Sequence, residues 1–574
     1  MTRLRISLAL ALPALLAACQ TASAPSDPSL AAPAASLAVP GMVSAADPRA
    51  AEAGAEILRQ GGSATDAAIA TMLALTVVEP QSSGIGGGGF FVHGGELGAV
   101  ETIDGRETAP AEAGPDWFLG TDGEPRGYRE ILLSGLSIGV PGNIALAAGA
   151  HERHGRLEWR ALFQPAIRLA RDGWTLSPRF VRMANASNER AGFSTEGRAL
   201  FFDDSGEALP VGTRVANPAL ADTLERIAAH GPSHFYEARG EALATHVAAA
   251  TPGDAAMRET DVTGYAARER DAVCGPYREY TICSMGPPSS GATTVLAILG
   301  QLERFDMAAL GPDNPTAWHL FAESQRLAYA DRELYLADGD FVSVPVAGLV
   351  DPTYLAMRAQ LIAPGRRMET VEAGRPSGAV AARADGDEPP ENGTSHFAVA
   401  DRFGNVVSWT STIEGPFGSG LMFDGFYLNN ELTDFSFRPA VEGRPVANRV
   451  QGGKRPRSSM SPSIVYDADG RAVLAIGAAG GSTIPVQVAK ALVGYIDWDL
   501  SAQAAIDLPM VYSPGDTVSL EDGNAPVGLA AALERLGHTV QSRDLPLKAN
   551  AVEWRGGRWI GAADPRSEGA SAAQ

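Results

Sequence analysis

Cysteine is scarce in this chain, with three residues in 574. That excludes a disulfide-framed scaffold and an array of cysteine-ligated zinc ribbons. Positive charge is also short: Lys and Arg number 46 against 67 Asp and Glu, a net charge of −21 and a pI near 4.9. Such a field repels phosphate backbones and anionic lipid headgroups, so no nucleic-acid partner is expected. Beyond the first twenty residues no uninterrupted apolar run reaches the ~18 residues of a membrane-spanning helix. What is present is 45% hydrophobic residues, 64 Gly and 39 Pro. The length allows roughly two to four domains or one large layered fold, rich in turns and with ample core.

The chain opens MTRLRISLALALPALLAACQ. Arg3 and Arg5 form a charged start, and the apolar run from Ile6 to Ala18 is too short to span a bilayer comfortably. It ends in Leu16-Ala17-Ala18-Cys19, which resembles a bacterial lipobox. The reading is a lipoprotein signal over 1–18, a lipidated Cys19 and a flexible Ala/Ser/Pro tether over 19–40. An ordinary secretory signal with a coincidental cysteine is the alternative. Either implies export; the first puts the protein in the periplasm, tied to the membrane only through lipid. In an oxidising compartment Cys274 and Cys283, in AVCGPYREYTICSM, become candidates for a disulfide across a hairpin. Two buried thiols fit the spacing equally well.

Asp47-Pro48 predicts a helix start running to Gln60, and Ser63 opens a second helix ending near Val78-Glu79-Pro80. A glycine run then leads into the strand-like FFVHG. FAESQRLAYADRELYLAD reads as an amphipathic helix. Residues 365–392 are poor in large apolar side chains and read as a mobile linker. SHFAVAD, a Phe403-Gly404-Asn405 turn and VVSWTSTI then form a hairpin, with later strands in SPSIVYD and AVLAIGA and a helix from Pro485. Gly84-Ile-Gly86-Gly-Gly-Gly89 matches a dinucleotide fingerprint, but the order is helix, glycines, strand rather than strand, glycines, helix. Gly135-Leu-Ser137-Ile-Gly139 matches a nucleophile elbow, but Val140-Pro141-Gly142 interrupts the turn it requires. No cofactor and no metal is expected.

Thr394 is the stronger chemical candidate. A threonine hydroxyl is a weak nucleophile, and cutting the bond before it would free an α-amine to act as its base. That amine's ordinary pKa, about 7.7–8.0, suits neutral operation. Gly393 has no side chain to obstruct attack on its carbonyl. A threonine merely opening a strand is the plainer reading of the local residues.

ENGTSHFAVADRFGNVVSWTSTIE, FYLNNELTDFS, KRPRSSMSP and GAAGGSTI, in this order, resemble the γ-glutamyltranspeptidase (glutathione hydrolase) family. EPQSSGIGGGGFF, IDGRETAPA, GVPGNIA, SMGPPSSGATT, LAYADRELYL and GAADPRSEGAS extend the likeness over residues 40 to 574. The resemblance implies an α+β fold, the four-layer αββα sandwich of N-terminal-nucleophile hydrolases. It also implies a precursor that cuts itself between Gly393 and Thr394. The products would be a large subunit, 41–393, and a small subunit, 394–574, held as a heterodimer in one catalytic domain. Thr394 would then cleave γ-glutamyl amides through an acyl-enzyme passed to water or an amino acid. Thr412 would orient the Thr394 hydroxyl, and Gly480 and Gly481 would supply the oxyanion hole. Arg106, with Ser458 and Ser459, would hold the substrate α-carboxylate. Glu431 and Asp434 would meet its α-ammonium, with Glu414 beside them.

Two departures bear on specificity. Glu414 stands where the best-known transpeptidases have Asn, and the stretch from Ser436 to Gly453, where many members carry an aromatic-closed lid, is short and has no Tyr. Both resemble the branch containing poly-γ-glutamate depolymerases. Other readings are an acylase of the same fold acting on non-glutamyl amides such as β-lactam side chains, and a solute-binding lipoprotein without chemistry. The lipobox reading predicts that Cys19→Ser releases the protein from the membrane fraction or blocks its maturation. Unchanged fractionation on immunoblots would refute the anchor.

Overall fold

The computed structural model describes residues 39–95, 98–380, 383–386 and 393–574. Cys19, the leader and the tether up to residue 38 lie outside them. In chain order the strands of the two main sheets begin with β1 (Met42–Ala45), β2 (Gly88–Gly94), β3 (Val100–Asp104) and β4 (Arg268–Arg270). There follow β5 (Val273–Tyr277), β6 (Tyr280–Ser284), β7 (Ser395–Ala400), β8 (Val406–Thr412) and β9 (Ser463–Tyr466). The last four are β10 (Ala472–Ala479), β11 (Lys548–Arg555), β12 (Arg558–Ala563) and β13 (Ala570–Ala573). The first sheet runs β13-β1-β7-β8-β2-β3-β4 and the second β12-β11-β10-β9-β6-β5.

Six helices matter for the site: α1 (Pro48–Arg59), α2 (Ala64–Val78), α3 (Pro178–Ala186), α4 (Gly291–Leu302), α5 (Pro315–Tyr335) and α6 (Ile484–Ile496). Asp47 caps α1 by accepting the Arg49 N–H, with Pro48 at its first position. Ser63 and Asp66 exchange hydrogen bonds in a capping box at the start of α2. Helices α1 and α2 cover the outer face of the first sheet, and α4 and α6 cover that of the second. The two sheets meet through β7 and β8 on one side and β10 and β11 on the other. The result is the four-layer helix–sheet–sheet–helix order.

Strand alternation explains this layering. Phe397, Val399, Val407 and Trp409 pack toward the α1/α2 layer, with Phe91 of β2. Their neighbours Ala398, Ala400, Val406, Phe90 and Val92 pack toward the second sheet. A strand buried on both faces reads as a nearly continuous apolar run, which is how this hairpin reads.

Three sequence expectations change in detail. Helix α5 is buried on almost every face instead of presenting a wet side. Its polar residues are satisfied internally: Arg326 pairs with Glu323 at 2.8 Å, Asp331 accepts the Tyr354 hydroxyl at 2.7 Å, and Arg332 donates to Ser290 and Ser459. The low-apolar stretch from 365 is docked over much of its described length. Met368 N–H donates to Glu323 and Gly374 N–H to Asp331, both at 2.6 Å, so hydrogen bonds to buried acids replace apolar packing. Cys274 and Cys283 face each other across β5 and β6 and are joined by a disulfide.

One charged pair spans the seam between the sheets. Lys548 begins β11, opposite Ala479 at the end of β10. Its ammonium reaches Glu79, just after α2, at 2.7 Å and Ser395 of β7 at 3.2 Å. Removing one member of a buried pair strands the other, at about 3–5 kcal/mol. Lys548→Met should therefore lose stability of that order in urea unfolding. Adding Glu79→Gln should recover most of it, and a single variant as stable as wild type would contradict the role of the pair.

Candidate active site

Thr394 sits directly before β7 and is 7% exposed. Its N–H donates to the Ser82 carbonyl at 3.1 Å, and its hydroxyl hydrogen-bonds that of Thr412, the last residue of β8, at 3.2 Å. The Thr412 oxygen also accepts the Glu414 N–H at 2.7 Å, so it is held from the other side. Thr394 has φ 102°, a strained conformation for a β-branched residue. Gly393 packs so tightly that a methyl group there would lie 1.4 Å from the Glu414 carbonyl oxygen. Only glycine fits beside Thr394.

Gly480 and Gly481 follow β10 and turn the chain with φ 122° and 60°. At Gly480 an added methyl would stand 1.8 Å from the Pro546 carbonyl. Gly393, Thr394 and Gly480 open together onto a cavity of about 380 Å³. Gly481 does not line that cavity. His396, two residues from Thr394, is wholly buried and pushed down to about 3 by burial, so it stays neutral at working pH and bonds Thr410 instead. Ser137 is buried, with its hydroxyl donating to the Leu132 and Ser134 carbonyls, which leaves no trace of an elbow.

Arg106 is fully buried and ion-paired with both Glu431 and Asp434. Its guanidinium also donates to the carbonyls of Pro456 and Arg457, at 3.2 and 3.0 Å, which places it against the segment carrying Ser458 and Ser459. Ser458 Oγ accepts the Met460 N–H, and Ser459 Oγ accepts from Arg332. The Arg106 amide is anchored on Asp104, itself paired with Arg455 and Arg270. The structure thus gathers the anion-binding and cation-binding candidates into one cluster in which they satisfy each other. Glu414, at φ 70°, accepts from the Asn430 side-chain amide, and burial lowers the pKa of Arg190, whose charge Glu414 helps to sustain. In the 436–453 stretch, Phe437 packs on Phe118 at 4.6 Å and stacks with Tyr128 at 6.3 Å.

Several site residues escape sequence reasoning. Glu107 follows Arg106 directly in the chain, yet it is 0% exposed and both its carboxyl oxygens are shut off from solvent. Burial pushes its carboxyl up to about 7, against the pull of Arg106. The acid beside it is Glu431, and two crowded carboxyls favour sharing a proton. Burial likewise drives the Lys548 ammonium down to about 8, opposed by Glu79. Lys548 lines the Thr394 cavity and lies 3.5 Å from Ser82 Oγ. The available signal was a lone lysine among apolar residues in LPLKANAV.

The chain resembles known proteins over most of its length. The γ-glutamyltranspeptidase family model matches residues 50–574. The chain is 35% identical to the glutathione hydrolase proenzyme of Bacillus subtilis (strain 168), covering 92% of this chain and 91% of that one. It is 34% identical to the acylase ACY 1 proenzyme of Pseudomonas sp. (strain V22), covering 92% of each. Among solved structures, cephalosporin acylase from Bacillus halodurans superposes with a TM-score of 0.81 at 26% identity, over 93% of this chain and 96% of that one. γ-Glutamyltranspeptidase from Helicobacter pylori gives 0.53 at 34% identity, over 56% of this chain and 91% of that chain. With the family model spanning the buried threonine, its hydroxyl partner and the Arg106 cluster alike, the chain belongs to the γ-glutamyltranspeptidase family.

Proposed function

We propose that the chain is a self-processing γ-glutamyl hydrolase and transferase with Thr394 as its nucleophile. The observation that carries this reading is the junction itself: a strained Thr394 next to a glycine that admits no side chain, with its hydroxyl bonded to Thr412. Self-cleavage begins when Thr394 Oγ1 attacks the Gly393 carbonyl carbon. The peptide C–N bond breaks as the ester forms, and the proton lost by the Thr394 hydroxyl passes to the departing nitrogen, which becomes the α-amine. Water then hydrolyses the ester, leaving a Gly393 carboxylate and a free Thr394 α-amine. Release of backbone strain, of order 1–3 kcal/mol, favours the step. The subunits become 41–393 and 394–574.

In turnover the same hydroxyl attacks the γ-carbonyl of the donor while the α-amine takes its proton and returns it to the departing amine. N–H groups at Gly480 and Gly481 stabilise the tetrahedral oxygen. The donor's zwitterionic head exchanges into the Arg106 cluster, its α-carboxylate to Arg106, Ser458 and Ser459, and its α-ammonium to Glu431 and Asp434, with Glu414 near. Water or an amino acid resolves the acyl-enzyme. The same reading makes the protein an exported lipoprotein of the periplasm, anchored through Cys19; among the described residues no helix is long and apolar enough to cross a membrane.

Thr394→Ala should give a folded, uncut chain without amidase activity, seen as one band on denaturing gels. Thr394→Ser should still process, more slowly. N-terminal sequencing of the wild-type small subunit should read Thr-Ser-His-Phe, and any other start refutes the nucleophile. For the donor, N-acetylation removes the ammonium. A charged hydrogen bond is worth about 1.5–3 kcal/mol, so kcat/KM should fall about tenfold or more. Equal turnover of acetylated and unacetylated γ-glutamyl anilides would exclude the ammonium pocket and favour an acylase of non-glutamyl amides.

A further inference from the structure

The cavity that holds Thr394 does not include the donor-head cluster: Arg106, Glu431, Asp434, Ser458 and Ser459 are all absent from its lining. If the acyl group occupies that cluster, the cavity beside Thr394 is left to receive the departing or incoming amine. One wall is the N-terminal half of α3, where Arg179 and Arg182 stand three residues apart and both line the cavity. Residues so spaced share one helical face.

The remaining charges of the cavity are mostly neutralised. Arg566 pairs with Glu521 and Asp564, Lys548 pairs with Glu79, and Asp522 accepts the Ser542 hydroxyl at 3.0 Å. Asp544 is an exposed acid on the wall. Arg179 uses its backbone N–H on Glu568 at 2.8 Å. Its guanidinium and that of Arg182 enter no ion pair or side-chain hydrogen bond among the described residues. Arg179 is close enough to Lys548 for their like charges to oppose each other. Two guanidiniums that line one cavity with a buried ammonium and Thr394 favour an anion there, and guanidinium geometry suits a carboxylate.

We propose that Arg179 and Arg182 form a carboxylate subsite for the amine-side fragment, so that preferred donors are γ-glutamyl peptides with a free terminal carboxylate. This rests on Thr394 being the nucleophile. The test uses two donors that differ only at that end: a γ-glutamyl dipeptide and its C-terminal amide. Wild type should favour the free acid by about tenfold in kcat/KM, a preference that shrinks as salt screens the charges. In Arg179→Gln/Arg182→Gln the ratio should collapse toward unity. Arg182 is exposed, so Arg182→Ala alone keeps the test available if the double variant misfolds, and should lower the ratio by about threefold. A ratio that is unity in wild type, or unchanged in the variants, overturns the subsite. Activity surviving in Thr394→Ala would instead overturn the nucleophile reading beneath it.

Discussion

Burial of the β7–β8 hairpin on both faces is the constraint around which the protein is arranged. One face lies under α1 and α2, the other against the second sheet, so most side chains along it are apolar or matched to a partner. Trp409, packed edge-on against Phe91 at 5.4 Å and beside Phe397 at 5.5 Å, shows how closely the apolar face is filled. Polar side chains gather toward the Thr394 end, with Ser395 on Glu79, His396 on Thr410 and Thr394 on Thr412, while Ser408 in mid-strand donates to the Ile476 carbonyl. A reactive hydroxyl at the head of such a strand inherits its rigidity without any device of its own.

Electrostatics follow from the same burial. Charges removed from water must find partners, and here they find them in closed groups. Arg106 is held by Glu431 and Asp434, Asp104 by Arg455 and Arg270, and Lys548 by Glu79. On the proposed function, entry of a glutamyl head would be an exchange of partners within a cluster whose charges are already paired, rather than the filling of a bare charge. Burial raises the Glu107 carboxyl beside the same cluster.

The sequence made the helix starts and the central hairpin legible because caps, glycine turns and period-two strands are local signals, whereas the layer order was implied only by the likeness of motifs. Asp47, Ser63 and the Phe403-Gly404-Asn405 turn each act over a few residues. It misread α5 because burial of a polar helix depends on partners such as Tyr354 and Ser459, remote in the chain. Within the site, the likeness of motifs pointed to Thr394, Arg106 and the acids. It said nothing of Lys548 or of Arg179 and Arg182, whose meaning lies in which cavity they share. The choice left open for Cys274 and Cys283 needed the register of β5 and β6.

The order of strands in the first sheet has a further consequence. β1 lies between β13 and β7, and β2 between β8 and β3, so segments from before and after residue 394 are interleaved like shuffled cards. A cut at that bond would be a nick and not a separation, because parting the pieces means unzipping ladders in both sheets. It also sets an order of events. Gly41 and Gln574, which exchange hydrogen bonds through the backbone and the Gln574 side chain, are 533 positions apart. β1 must wait for β13 to leave the ribosome before it has both neighbours. The sheet that carries the threonine is thus completed late in synthesis, which would delay any chemistry at Thr394 until the rest of the fold has been made.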